Sequence, residues 1–232
     1  MVSIKGVQKT SLIDYEPNIA SVVFLAGCNF RCPYCQNPEL ALDKPELPII
    51  PEEEVLEFLK ERKKWIEGVC ISGGEPTIQK DLPEFIEKIK KLGLKVKLDT
   101  NGSNPKMLKE LIEKKLIDYI AMDIKAPAEK YAGVVKLNVN ADGIKRSADI
   151  IKKSGIEHEF RITVVPTITG DDDIKEISEW LKGSKKFFIQ QFQPKTCLNK
   201  DFEKIKPYAK EELEKLVDIA KPYFEFVGMR GV

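Results

Sequence analysis

Residues 19–35 read Ile-Ala-Ser-Val-Val-Phe-Leu-Ala-Gly-Cys-Asn-Phe-Arg-Cys-Pro-Tyr-Cys. The apolar, β-branched run from Ile19 to Ala26 reads as a buried strand. It delivers the chain into Cys28, Cys32 and Cys35, three thiols at positions i, i+4 and i+7. A cubane [4Fe–4S] cluster is fully ligated by four cysteines. Here the loop offers three and no nearby cysteine completes the set, which points to one cluster with an open iron. An open coordination position marks a metal as catalytic rather than structural. Zinc is a rival, although its sites pair two Cys-x-x-Cys knuckles or add histidines, and the one histidine of the chain is His158. Three unrelated core thiols are the other reading. Arg31 and Pro33 inside the loop speak against it.

Apolar runs of the same kind recur at Gly68 to Ser72, Leu94 to Leu98, Tyr119 to Ile124, Glu159 to Val165 and Lys186 to Phe192. Between them apolar residues keep helical spacing, as in Leu82, Phe85, Ile86 and Ile89, or Leu213, Leu216, Val217 and Ala220. Leu108, Leu111 and Ile112 form another such face, and Ile174, Ile177 and Leu181 a further one. Pro51, Pro105 and Pro207 stand near helix starts, and Gly93, Gly155 and Gly183 at helix stops. Six β/α units joined by right-handed crossovers predict a parallel sheet with helices outside, and a closed eight-unit barrel takes about 250 residues. The expected fold is therefore α/β, a partial (β/α)6 TIM-like barrel with a lateral opening. A single domain over residues 1–232 is expected, with residues 1–18 as an extension in which Gly6 to Tyr15 forms a short hairpin capping the barrel.

Charges of both signs are mixed along the chain and sum to +1, so no field favours nucleic acid or an anionic membrane. The first residues lack the apolar core of a secretion signal, and no apolar run approaches the roughly 20 residues that span a bilayer. Three of the five cysteines sit in one loop, which argues for a reducing compartment and a cytoplasmic protein. Cys70 reads as a packed small hydrophobe and Cys197 as a free surface thiol; two isolated cysteines hold no second cluster.

Chemistry in such barrels gathers at the C-terminal strand ends. The second strand runs into Ser72-Gly73-Gly74-Glu75-Pro76, where two glycines permit close backbone approach to a ligand and Glu75 adds a carboxylate. Taken alone, it is equally a plain turn. The third ends in Asp99-Thr100-Asn101-Gly102, which by itself is an ordinary Asn-Gly turn. At the end of the fourth, Asp123 and Lys125 are two apart and share one face, either as a structural ion pair or as ligand contacts. The fifth strand carries Arg161 and the sixth ends near Gln193.

The C-x3-C-x2-C loop, with Tyr34 as the aromatic residue before its last cysteine, resembles the radical S-adenosylmethionine superfamily. That resemblance implies that Cys28, Cys32 and Cys35 hold the cluster and that its free iron chelates S-adenosylmethionine. Reductive cleavage to methionine and a 5′-deoxyadenosyl radical would follow. Gly73, Gly74 and Glu75 resemble the superfamily's GGE motif, which touches the methionine amino group. Asp99-Thr100-Asn101-Gly102 together with Asp123-x-Lys125 resembles the glycyl-radical-enzyme activases. The implied cofactor shell is Tyr34, Gln36, Gly73, Gly74, Glu75, Asp99, Thr100, Asn101, Asp123, Lys125, Arg161 and Gln193, with a monovalent cation beside Asp99 and Asp123. The implied partners are a glycyl-radical enzyme and a reduced flavodoxin- or ferredoxin-type electron donor. No histidine stands near Gln193, which favours anaerobic ribonucleoside-triphosphate reductase over a pyruvate formate-lyase-like partner. A radical enzyme for a small molecule, similar to 7-carboxy-7-deazaguanine synthase, is the alternative, and a non-catalytic metal module is a third.

Overall fold

A computed structural model describes residues 1–139 and 141–232. Eight strands form one sheet in chain order: β1 (Ile4–Ser11), β2 (Ala20–Leu25), β3 (Gly68–Gly73), β4 (Lys95–Thr100), β5 (Tyr119–Asp123), β6 (Glu157–Val164), β7 (Lys186–Gln191) and β8 (Phe226–Arg230). From β2 to β8 every pairing is parallel, so each connection must cross back over the sheet. Amphipathic helices supply most of these crossovers: α2 (Glu52–Arg62), α3 (Leu82–Lys91), α4 (Pro105–Glu113), α6 (Ala141–Lys153), α7 (Asp171–Leu181) and α8 (Lys210–Ala220). Their apolar faces are the expected ones; Leu82, Phe85, Ile86 and Ile89 of α3 are wholly buried against the sheet. Two short helices, α1 (Pro38–Leu42) and α5 (Tyr131–Val135), flank the cysteine loop.

Six of the strands lie where the apolar runs put them. The other two form the sheet's edges. The N-terminal stretch is not a hairpin of its own but one strand, β1, which runs antiparallel to β2 from Ile4 opposite Leu25 to Ser11 opposite Ala20. At the far edge β8 pairs in parallel with β7. Gly228 makes this possible, because a Cβ there would lie 2.8 Å from the Phe188 ring. β1 and β8 are the two ends of the sheet order, so the barrel is cut between them.

The sheet buries aliphatic side chains on its helix-covered face and charged ones on the inner face. Alternation along β4 and β6 turns Lys97, Asp99, Glu159 and Arg161 inward. Unpaired charges at such depth are costly, and each of these is paired. Lys97 donates to Asp99 Oδ1 at 2.7 Å, and Arg230 donates to Glu159 Oε1 at 2.6 Å and Oε2 at 3.0 Å. A polar column therefore runs up the barrel toward the C-terminal ends of the strands. No helix among the described residues is long and apolar enough to cross a membrane.

Candidate active site

A cavity of about 240 Å³ opens at those strand ends. Its wall begins with the cysteine loop, whose backbone is anchored twice to α1: Gly27 N–H donates to Leu40 O at 2.8 Å and Cys28 N–H to Ala41 O at 3.1 Å. A further turn is closed by Cys35 N–H to Cys32 O at 3.0 Å. Cys28, Cys32 and Cys35 all line the cavity. The Cys28 sulfur already accepts from Phe30 N–H at 3.3 Å, a donor that would persist toward a metal-bound thiolate. Burial pushes the Cys32 thiol up to about 11, while Lys125 pulls it the other way, so iron must displace its proton on binding.

Gly73 and Gly74 are where β3 meets the cysteine loop. Gly74 N–H donates to Leu25 O at 2.9 Å and Glu75 N–H to Gly27 O at 2.7 Å. Gly73 has φ +117°, and a Cβ on Gly74 would lie 1.9 Å from Gly27 O, so only glycine lets the two backbones touch. Gly74→Ala is expected to destabilise the protein by on the order of 3 kcal/mol. The control Gly143→Ala, on α6 with nothing within 4 Å of the added Cβ, should be neutral or slightly stabilising. Thermal melts of the two variants check this pair.

Glu75 lines the cavity, yet both its oxygens are already engaged. Oε1 accepts from Thr77 N–H at 3.1 Å, Thr77 Oγ1 at 2.5 Å and Thr100 Oγ1 at 2.7 Å, and Oε2 accepts from Asn101 N–H at 2.6 Å. Its carboxylate knots the ends of β3 and β4 together. Asn101 in turn reaches back to the cysteine loop, donating to Asn29 Oδ1 at 3.1 Å and lying 3.8 Å from Cys28 Sγ.

Asp99 and Asp123 face one another across the cavity floor with Arg161 between them. The guanidinium donates to Asp123 Oδ1 at 2.8 Å and stands 3.5 Å from Asp99 Oδ2. Lys125 is 3.4 Å from the other Asp123 oxygen, and Ser72 donates to Asp99 at 3.1 Å. Burial opposes the charge on Asp123, but Arg161 and Lys125 outweigh it and hold the carboxyl well below the usual range. For Asp99 burial is likewise outweighed, by Arg161 and Lys97, and its pKa is lowered. The positive charge facing these two carboxylates comes from Lys97, Lys125 and Arg161.

Of the residues singled out from the sequence, Tyr34, Gln36, Gly73, Gly74, Glu75, Asp99, Thr100, Asn101, Asp123, Lys125 and Arg161 come together around the cavity. Gln193 is not among its lining residues. Its side chain donates to Gly231 O at 3.0 Å and its carbonyl accepts from Gln36 Nε2 at 3.3 Å. The place is taken by Gln190, beside Thr163, which is opposite it in the β6–β7 register. Period-two counting from Arg161 reaches Thr163, and the register then reaches Gln190. Phe30, Asn37 and Ser72 also line the cavity and adjoin motifs already recognised. Cys197 is buried rather than a surface thiol, and Cys70 is packed in the core as expected.

The cavity fits an iron–sulfur cluster and a polar ligand on three counts. The donor set is three thiols on one loop. Gly73 and Gly74 line the cavity with bare backbone drawn against the strand that leads into the cysteine loop. The buried Tyr34 hydroxyl has no hydrogen-bond partner within the protein. Among the described residues no three His, Cys, Asp or Glu side chains converge on one metal position, and a cubane does not ask for that, since each thiolate holds a different iron.

An open parallel barrel with its cavity and cysteine loop at the C-terminal strand ends defines the class of protein. The chain belongs to the Radical SAM superfamily, whose family model matches residues 22–181. That family uses a [4Fe–4S] cluster and S-adenosylmethionine. A protein of Methanocaldococcus jannaschii named as a glycyl-radical enzyme activating enzyme is 37% identical over 99% of this chain and 96% of its own length. The pyruvate formate-lyase-activating enzyme of Clostridium pasteurianum is 30% identical over 78% of this chain and 77% of its own. A GTP 3′,8-cyclase of Helicobacter pylori is 33% identical over 67% of this chain, but only 49% of the cyclase is covered. The fold is shared with Streptococcus suis SuiB, crystallised with the precursor peptide SuiA, at a TM-score of 0.72 and 18% identity, covering 90% of this chain and 48% of that one.

Proposed function

We propose that this chain is a cytoplasmic activase that generates a glycyl radical on a partner enzyme, anaerobic ribonucleoside-triphosphate reductase being the partner favoured. Cys28, Cys32 and Cys35 would hold the [4Fe–4S] cluster, leaving one iron for the amino and carboxylate groups of S-adenosylmethionine. Cluster and cofactor, when bound and given one electron, would supply the radical chemistry for removing a hydrogen atom from the partner's glycine Cα. What the chain does is position and exclude. The Gly73–Gly74 backbone and Asn101 shape the wall beside the cluster loop, and the ring of Tyr34 lines it, its hydroxyl buried without a hydrogen-bond partner. Arg161 and Lys125 offer positive charge to a carboxylate, while Asp99 and Asp123 fix the orientation of both cations. These side chains hold the ligand; the radical chemistry is the cofactor's own.

The observation that carries this reading is the convergence of the cysteine loop, the Gly-Gly-Glu turn, Asp99-Thr100-Asn101 and the Asp123–Lys125 pair on one cavity. Full-length similarity to a glycyl-radical enzyme activating enzyme supports the partner class. The cut barrel supports it too, since an open side admits a glycine-bearing loop of a larger protein. Glycine suits such a loop because its backbone enters conformations closed to other residues.

The test is direct. Reduced protein, mixed anaerobically with S-adenosylmethionine and the reductase, is expected to yield 5′-deoxyadenosine and a doublet radical signal in electron paramagnetic resonance. Gly→Ala at the partner's radical site should remove the signal. A signal from a pyruvate formate-lyase-like enzyme instead would change the partner. Stimulation of 5′-deoxyadenosine by a small metabolite, with no signal from any glycyl-radical protein, would replace the activase reading.

A further inference from the structure

Beneath the floor of the candidate active site lie two charges that take no part in it. Glu159 and Arg230 line a second cavity of about 220 Å³, and neither lines the first. Tyr119, Lys186 and Phe226, at the starts of β5, β7 and β8, border it too, so it sits at the N-terminal mouth of the barrel. Arg230 reaches it from β8, the last strand of the sheet. Its backbone is registered with Gln190, a residue of the upper cavity, but its guanidinium folds over the Phe188 ring, 3.6 Å from the centroid. There it grips Glu159 with both terminal nitrogens, at 2.6 and 3.0 Å, and the Tyr119 hydroxyl donates to the same carboxylate at 3.0 Å. Glu159 is 3% exposed, and an acid at that depth requires a counter-charge.

Arg161 stands one level up, two residues along β6 on the same face. Its Nε donates to Asp123 at 2.8 Å. Its Nη1 is shared, lying 3.5 Å from Asp99 Oδ2 in the upper cavity and 3.8 Å from Glu159 Oε1 beneath. Which acid holds that nitrogen depends on what else each acid has. Asp99 has Lys97 at 2.7 Å and the Ser72 hydroxyl at 3.1 Å. Glu159 has Arg230, and among the described residues Arg161 is the other cation within 4 Å of it. Without Arg230, the buried Glu159 charge has Arg161 alone to draw on. A movement of about 1 Å brings Nη1 to hydrogen-bond distance from Glu159 and away from the upper cavity.

We propose that Arg230 is a positioning residue for S-adenosylmethionine: by satisfying Glu159 it leaves Arg161 raised into the upper cavity, where the guanidinium meets the cofactor's carboxylate. The inference rests on the reading of Arg161 as a cofactor contact and adds a residue that lines no part of that cavity. Through Glu159 and Arg161 the edge strand β8 bears on cofactor affinity from outside the site.

The experiment measures S-adenosylmethionine affinity of the reconstituted holoenzyme by anaerobic equilibrium dialysis, with iron content in parallel. Arg230→Met keeps an apolar stem on Phe188 and removes the charge, and is expected to weaken binding about tenfold at wild-type iron content. Adding Glu159→Gln removes the unpaired acid, so the double variant should return to within about twofold of wild type. Arg230→Lys keeps the charge and should lose less than about threefold. If Arg230→Met does not fold, Arg230→Gln takes its place, alone and with Glu159→Gln. A purely structural role gives the opposite order, with the double variant the weaker binder. Wild-type affinity in the single variant overturns the inference, as does a double variant no tighter than the single. Arg161→Gln checks the reading beneath and should lose about tenfold or more. Wild-type affinity there removes Arg161 from the cofactor site and the inference with it. A loss there with none in the Arg230 variant removes the inference alone.

Discussion

Replacing Cys32 by alanine is expected to take iron from about four atoms per chain to background and to abolish 5′-deoxyadenosine formation. Cys32 is the most deeply buried of the three cysteines, at 7% exposure, and no other thiol among the described residues lines the cavity. Two cysteines cannot hold a cubane that already lacks a fourth protein ligand. The fold should hardly notice the change. The loop turn is closed by the Cys32 carbonyl rather than its sulfur, and Cys28 and Gly27 stay anchored on α1. Stability of the metal-free variant should therefore lie within about 1 kcal/mol of wild type. Iron analysis, product assay and a denaturant melt separate the two effects. Full iron retention in the variant would remove the loop from the site.

The second large effect is expected from Glu75→Ala, and it should not resemble the loss of a simple ligand contact. The residue is 1% exposed and receives four hydrogen bonds from Thr77, Thr100 and Asn101. Each buried donor left without an acceptor costs about 1–3 kcal/mol. The metal-free variant should lose on the order of 4 kcal/mol of unfolding free energy, after allowing for some relaxation. Because Asn101 links the same knot to Asn29 and Cys28, iron content should fall along with S-adenosylmethionine binding. Glu75→Gln should recover only part of either, since its amide nitrogen would face donors. Normal stability and iron, with only cofactor affinity reduced, would show that Glu75 acts on the ligand directly.

These two residues also mark what can be read from the chain without coordinates. Cys28, Cys32 and Cys35 announce themselves because their chemistry depends on local spacing alone. Glu75 is visible as a conspicuous carboxylate, but its task depends on donors that β4 brings from far along the sequence. The inner six strands are legible from their buried apolar positions, continuous in Val-Cys-Ile of β3 and alternating with inward charges in β4 and β6. The edge strands β1 and β8 each pair with one strand only and show no long buried run: Lys5, Gln8 and Lys9 break up β1, and β8 is five half-exposed residues interrupted by Gly228. Gln193 lies outside the cavity lining because β7 ends at Gln191, and the alternation that aims Phe188 and Gln190 inward stops there.

The unpaired edges of the sheet have a mechanical consequence. In a closed barrel the strand number and stagger fix the girth, so the bore cannot change without breaking ladder hydrogen bonds. A sheet ending at β1 and β8 carries no such closure condition. Adjacent strands normally differ in direction by roughly 20–25°, with a broad spread, so a change of about 2° per pairing lies well inside ordinary variation. Summed over the seven pairings of this sheet, that change turns one edge against the other by roughly 14°. The slot can thus be tuned to the thickness of what enters by strain spread evenly through the wall, with no single hinge and no broken backbone bond.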